Sequence, residues 1–87
     1  ADNDLIALGA MRALKAKGYR IPEDISIVGF DNISSSSIVE PSLTTIHVPK
    51  REMGILAVER MVSLLERKKT APVKIEVSTR LVKRRSA

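Results

Sequence analysis

The sequence predicts an α/β fold, a parallel sheet flanked by helices, and three observations predict it. A stretch with helical apolar spacing (residues 4–17), a turn-rich connector (19–24) and the β-branched run Ile25-Ser26-Ile27-Val28-Gly29-Phe30 succeed one another as half of a parallel βαβ unit. That run is nearly continuous in apolar character, as suits a strand covered on both faces, and it ends abruptly in the carboxylate of Asp31. Downstream, a second helical pattern (50–68) lies between strand patterns at 43–48 and 73–82, continuing the alternation of strands and helices.

Asp2, Asn3 and Asp4 open the first helix, since their side-chain oxygens accept from free backbone N–H groups and suit the positive helix end. Leu5, Ile6, Leu8, Met11 and Leu14 recur mostly at three- and four-residue spacing, and Gly18 is placed to end the helix as a left-handed residue. The apolar residues cover more than one stripe. The helix therefore packs on its own sheet and a partner subunit, or is buried within a larger domain. A strand should precede the helix, so a capping cluster at the first residues, without an initiator Met, reads as the cut end of a longer polypeptide and the sheet as incomplete.

Pro22-Glu23-Asp24 turns the chain into the central strand. Ligands of open α/β sheets bind outside the carboxyl ends of strands, which makes Asp31 a candidate ligand contact; alternatively Asp31 only starts the polar turn through Ser37. Ile38 and Val39, two apolar residues in a serine-rich loop, pack on this sheet or on a second subunit. Leu43 to Val48 forms a short strand closed by Pro49, and its His47, the one histidine, has no companions at metal-ligand spacing. In the second helix Met53, Leu56, Ala57, Met61, Leu64 and Leu65 form a stripe to be half buried, with Arg67, Lys68 and Lys69 suiting the negative helix end. Thr70-Ala71-Pro72 turns the chain again. Residues 73–82 alternate with period two, as an edge strand with one wet face, and Lys83-Arg84-Arg85 reads as a solvated end.

Eighty-seven residues make one small domain with a marginal core. The apolar runs are too short to span a bilayer, and the absence of cysteine excludes disulfides and thiolate metal sites. Residues 1–48 carry six acids and four bases, whereas residues 49–87 carry four acids and eleven bases. Basic charge so placed raises the possibility of a nucleic-acid module over residues 50–85, but Tyr19 and Phe30, the two aromatics, both lie outside the basic half. No phosphate cradle, nucleophile elbow or catalytic Cys-His arrangement occurs, so the chain is expected not to be an enzyme and to use no cofactor or metal.

Several segments, in order, carry a resemblance. Asn3-Asp4 with Ala7-Leu8-Gly9-Ala10, then Gly18 through Asn32, then Pro41-Ser42-Leu43-Thr44-Thr45-Ile46, Met53-Gly54 and Arg80-Leu81-Val82-Lys83-Arg84-Arg85-Ser86, closely resemble the C-terminal part of LacI/GalR-family transcriptional repressors. The resemblance implies a partial type I periplasmic-binding-protein-like fold. Residues 1–46 would belong to the C-terminal subdomain of an effector-binding core, 47–79 would provide a crossover, helix and strand of the N-terminal subdomain, and 80–87 the final crossover and tail. It implies that Asp31 and Asn3 contact a small-molecule effector, a sugar or a nucleobase, since a carboxylate accepts from sugar hydroxyls and purine N–H alike. It also implies a cytoplasmic homodimer joined through Leu8, Met11 and Val39, with operator DNA bound by an N-terminal domain outside this sequence and no membrane partner. A fragment of a periplasmic sugar-binding receptor is the alternative of the same architecture.

Overall fold

A computed structural model describes residues 1–66 and 71–87. The expectations for Arg67, Lys68, Lys69 and Thr70 lie outside the described residues. In chain order come helix α1 (Asp4–Ala16), a 3-10 turn (Ser34–Ser37), strand β1 (Thr45–His47), helix α2 (Lys50–Leu65) and strand β2 (Arg80–Val82). They fall into two compact units, one of Ala1–Val48 with Thr79–Ala87, the other of Pro49–Ser78.

In the first unit, α1 is bounded as its end residues dictate. Asn3 is the N-cap, its Oδ1 accepting from the Ile6 N–H at 2.9 Å. At the other end Gly18 takes φ +85°, and the N–H groups of Gly18 and Tyr19 donate to the Lys15 and Leu14 carbonyls at 3.0 and 3.1 Å. This pair of bonds is a Schellman closure, satisfying carbonyls that the helix itself leaves unpaired. Ala7 and Met11, four residues apart on one face, meet Ile21, Ile27 and Leu43 in the core, with Leu8, Leu14, Ile25 and Val39 packed around it.

The expected parallel sheet is corrected. The sheet present is two-stranded and antiparallel, with Thr45 opposite Val82, Ile46 opposite Leu81 and His47 opposite Arg80. The reason is connectivity: a chain that leaves one unit after Val48 and returns at Thr79 meets its own outgoing segment running the opposite way. Parallel pairing is confined to two single bridges, Val28 with Thr44 and Asp31 with His47. Alternate N–H groups of the central run make these connections, Gly29 donating to Thr44 O and Asp31 to Ile46 O, each at 2.9 Å, while Ile27 donates to Ser86 O at 2.9 Å. The run is also covered on one face only. Ile27 and Gly29 are buried, whereas Val28 and Phe30 are 39% and 40% exposed.

Of the run expected to be a solvated end, Lys83 and Arg85 are exposed and Arg84 is half buried, and the residue that follows is structural. Ser86 is fully buried; its Oγ accepts from the Thr44 N–H at 2.8 Å and donates to the Ile27 carbonyl at 2.6 Å.

In the second unit no residue of α2 is buried. Met53, Leu56 and Ala57 instead line a shallow groove of about 270 Å3 with Val73, Ile75 and Val77. The alternating segment pairs as a strand only over Arg80–Val82, which belongs to the first unit.

Candidate functional site

The site grows from Asp4, in the first turn of α1 and fully buried. Its backbone N–H donates to the Phe30 carbonyl at 2.9 Å, tying the start of the helix to the end of the central run. Its carboxylate is saturated with donors. Oδ2 accepts from the Ile33 N–H at 2.9 Å and from Ser36 Oγ at 2.5 Å, and Oδ1 accepts from Thr45 Oγ1 at 2.5 Å. Burial by itself pushes an aspartate up, but the hydrogen bonds from Ser36, Thr45 and the Ile33 backbone outweigh it and hold the carboxyl below its ordinary value. One carboxylate thus fixes three segments: helix α1, the loop into the 3-10 turn, and β1.

That anchoring brings the backbone at Asn3 close to the backbone at Asp31, the two expected ligand contacts. The Asp4-to-Phe30 bond joins their immediate neighbours, and the Ala1 nitrogen donates to the Val28 carbonyl at 2.7 Å, so residues 1–4 follow 28–30 side by side. Both contacts are half buried. The amide oxygen of Asn3 is committed to capping α1, which leaves its NH2 as the group to offer a ligand. Asp31 carries a carboxylate, whose oxygens only accept. It adopts φ 119° and Asn32 φ 55°, two successive non-glycine residues in the left-handed region. Such conformations persist where surrounding contacts over-determine them. Asn32 has these contacts: its side chain lies 3.1 Å from His47 Nδ1, and its Oδ1 accepts from Arg84 Nη2 at 2.7 Å.

Of the residues expected at a subunit interface, Met11 is 3% exposed and belongs to the core, while Leu8 and Val39 are half buried beside it. Leu8, Met11 and Val39 line one open groove of about 380 Å3 with Arg12, Lys15 and Glu40. On α1 Leu5 is 70% exposed, and Ile38, which precedes Val39, is 80% exposed. Among the described residues, no group of three His, Cys, Asp or Glu side chains is placed to hold a metal ion.

Sequence reasoning missed the central role of Asp4 and the clamp on Asn32. Asp4 carried a signal only for helix capping, and no spacing rule connects residue 4 to residues 33, 36 and 45. Arg84, in a basic run, carried no signal separating it from its exposed neighbours Lys83 and Arg85.

The class this architecture defines is an α/β domain in which polar residues follow the end of a central apolar run. The periplasmic binding protein-like domain matches residues 1–87, and the chain belongs to that family, in the form carried by LacI/GalR-type regulators. Among curated relatives, the HTH-type transcriptional repressor PurR of Escherichia fergusonii is 41% identical over 83 residues, covering 95% of this chain and 24% of the relative. A transcriptional regulator CelR–cellobiose complex superposes with a TM-score of 0.95 at 34% identity over 100% of this chain and 27% of that one. A putative LacI transcriptional regulator from Bacillus cereus subsp. cytotoxis gives 0.96 at 36% identity over 100% and 31%. The chain thus spans about a quarter of the length of the curated relatives it matches.

Proposed function

We propose that the chain works within a ligand-responsive transcriptional repressor, as part of the domain that binds a small-molecule effector and joins two copies. The observation that carries this is the Asp4-to-Phe30 backbone bond, which joins the chain neighbours of Asn3 and Asp31 and supports a site at that end of the central run. An amide donor and a carboxylate acceptor match the paired hydroxyls of a sugar or the edge of a nucleobase. Relatives named as repressors, and a similar regulator solved with cellobiose, support the reading. The role is binding without catalysis, in the cytoplasm. A homodimer forms through the face that includes Leu8, Met11 and Val39, and a separate domain reads operator DNA. The effector acts by binding one of two conformations more tightly and so shifting the DNA-binding equilibrium.

The test is calorimetric titration of the full-length protein with cellobiose, lactose and the nucleobases, before and after Asp31→Asn. A hydrogen bond to a charged group is worth about 1.5–3 kcal/mol, so affinity for the ligand that binds should fall by roughly 10- to 150-fold. Unchanged affinity removes Asp31 from the site.

A further inference from the structure

The one histidine of the chain has its ring chemistry decided by its neighbours. Arg84 donates through Nη2 to Asn32 Oδ1 at 2.7 Å and through Nη1 to the Leu43 carbonyl at 2.9 Å. A guanidinium has donors and no acceptor, so Asn32 must turn its amide oxygen toward Arg84. The NH2 group of Asn32 then faces His47 Nδ1 at 3.1 Å. An amide NH2 only donates, so Nδ1 must accept and the ring proton sits on Nε2. The Asn32 N–H reaches Thr45 Oγ1 at 3.3 Å, and this residue immediately follows the left-handed Asp31.

We propose that Asn32 is a positioning residue: clamped by Arg84, it fixes the Nε2–H tautomer of His47 and holds Asp31 in its left-handed conformation. The chain segments it fastens are the ones that cross out of the first unit and back, since His47 lies two residues before Pro49 and Arg84 five after Thr79. The proposal deepens the ligand-binding reading of Asp31 and rests on it for its functional meaning. The clamp itself is complete without ligand and can be tested without one.

Nuclear magnetic resonance on the full, ligand-free chain reads both consequences at about pH 8, above the ordinary histidine titration range. The ring 15N shifts of His47 report the tautomer, and the three-bond HN–Hα coupling of Asp31 reports its φ. In the native protein Nδ1 is expected to show the shift of a bare acceptor nitrogen, Nε2 that of a protonated one, and Asp31 a small coupling. Asn32→Gly removes the amide while tolerating positive φ, and should move the ring shifts toward the tautomer mixture of free imidazole. Asn32→Ala should also raise the Asp31 coupling toward that of extended backbone. Arg84→Met should free the amide to flip and mix the tautomers, whereas Arg84→Lys, still a donor, should restore the native pattern. A native ring protonated on Nδ1 overturns the proposal, as do ring shifts unchanged in Asn32→Gly or a coupling unchanged in Asn32→Ala. Should the variants fail to fold, the native tautomer and coupling decide alone. If the clamp signature holds while Asp31→Asn leaves ligand affinity unchanged, the ligand reading fails and the clamp stands; the converse pattern removes only the clamp.

Discussion

A Cβ atom added at Gly29 would stand 2.2 Å from Oδ1 of Asp4 and 3.3 Å from its Cα. The central run lies against the first turn of α1 so closely that only a residue without a side chain fits between them. The missing Cβ is what lets Asp4 sit against the central run while its carboxylate reaches Ile33, Ser36 and Thr45. Gly29→Ala must push this carboxylate away from its donors or force α1 outward. The expected loss is about 3 kcal/mol, combining overpacking with buried donors left unpaired. A urea denaturation midpoint that falls with an unchanged slope would show it.

The same carboxylate gives stability a defined dependence on pH. Asp4 is held below the ordinary aspartate value near 3.8 in the fold, first against burial and then by the Ser36, Thr45 and Ile33 hydrogen bonds. Between its folded-state value and 3.8 the unfolded chain carries the extra proton, so stability rises with pH across that window. The contribution is complete above the unfolded value and disappears as pH falls through the folded one. Asp24 is also lowered, by its hydrogen bonds to Arg20, but that pair lies at the surface where water screens it. Unfolding midpoints measured from pH about 5 downward should show a steep acid limb. Asp4→Asn should flatten that limb and Asp24→Asn leave most of it.

Gly18 isolates a purely conformational cost. Its φ is +85°, and a Cβ there would meet no atom within 4 Å. Gly18→Ala should therefore destabilise by about 1 kcal/mol through backbone strain alone, and Gly18→Asn by less, because asparagine tolerates the left-handed region. The difference between the two midpoints is the measurement, since a steric cost would rank the larger side chain worse.

How far the fold was legible follows from which forces are local. The cap at Asn3 and the closure at Gly18 depend on residues within a few positions of one another, and both are found where spacing places them; of the apolar residues of α1, Met11 enters the core and Leu8 and Leu14 pack around it, whereas Leu5 and Ile6 are exposed and Ala7 is buried. The sense of the sheet depends on which distant segments meet, and period-two alternation does not encode a partner. Hence a run resembling a buried parallel strand makes two isolated bridges, while the ordered ladder forms between β1 and β2 with the opposite sense. The candidate site divides the same way. Asp31 was legible as a charge at the end of an apolar run. Asp4, Asn32 and Arg84 act through partners between 13 and 52 positions away, as with Asn32 to Thr45 and Arg84 to Asn32. Ser86 makes the point most sharply: a serine beside three bases looks like a tail, yet it closes the core against Thr44 and Ile27.

The proposed subunit face contains residues of two kinds, and substitution should separate them. Met11 is 3% exposed among Ala7, Ile21, Ile27 and Leu43, so Met11→Lys buries an unpaired ammonium and should unfold the protein. Monomers seen with that variant would say nothing about association. Ile38, at 80% exposure, gains little from its own chain, and Ile38→Lys should change folding stability by less than about 0.5 kcal/mol. A lysine there puts a charge one residue from Val39, which lines the groove with Leu8, and two-fold symmetry would present it twice in one interface. Sedimentation equilibrium on full-length Ile38→Lys should then show a folded monomer at concentrations where the native protein is dimeric. An intact dimer in both Ile38→Lys and Leu8→Lys would take this face out of the assembly, because neither substitution leaves a contact there that tolerates the charge.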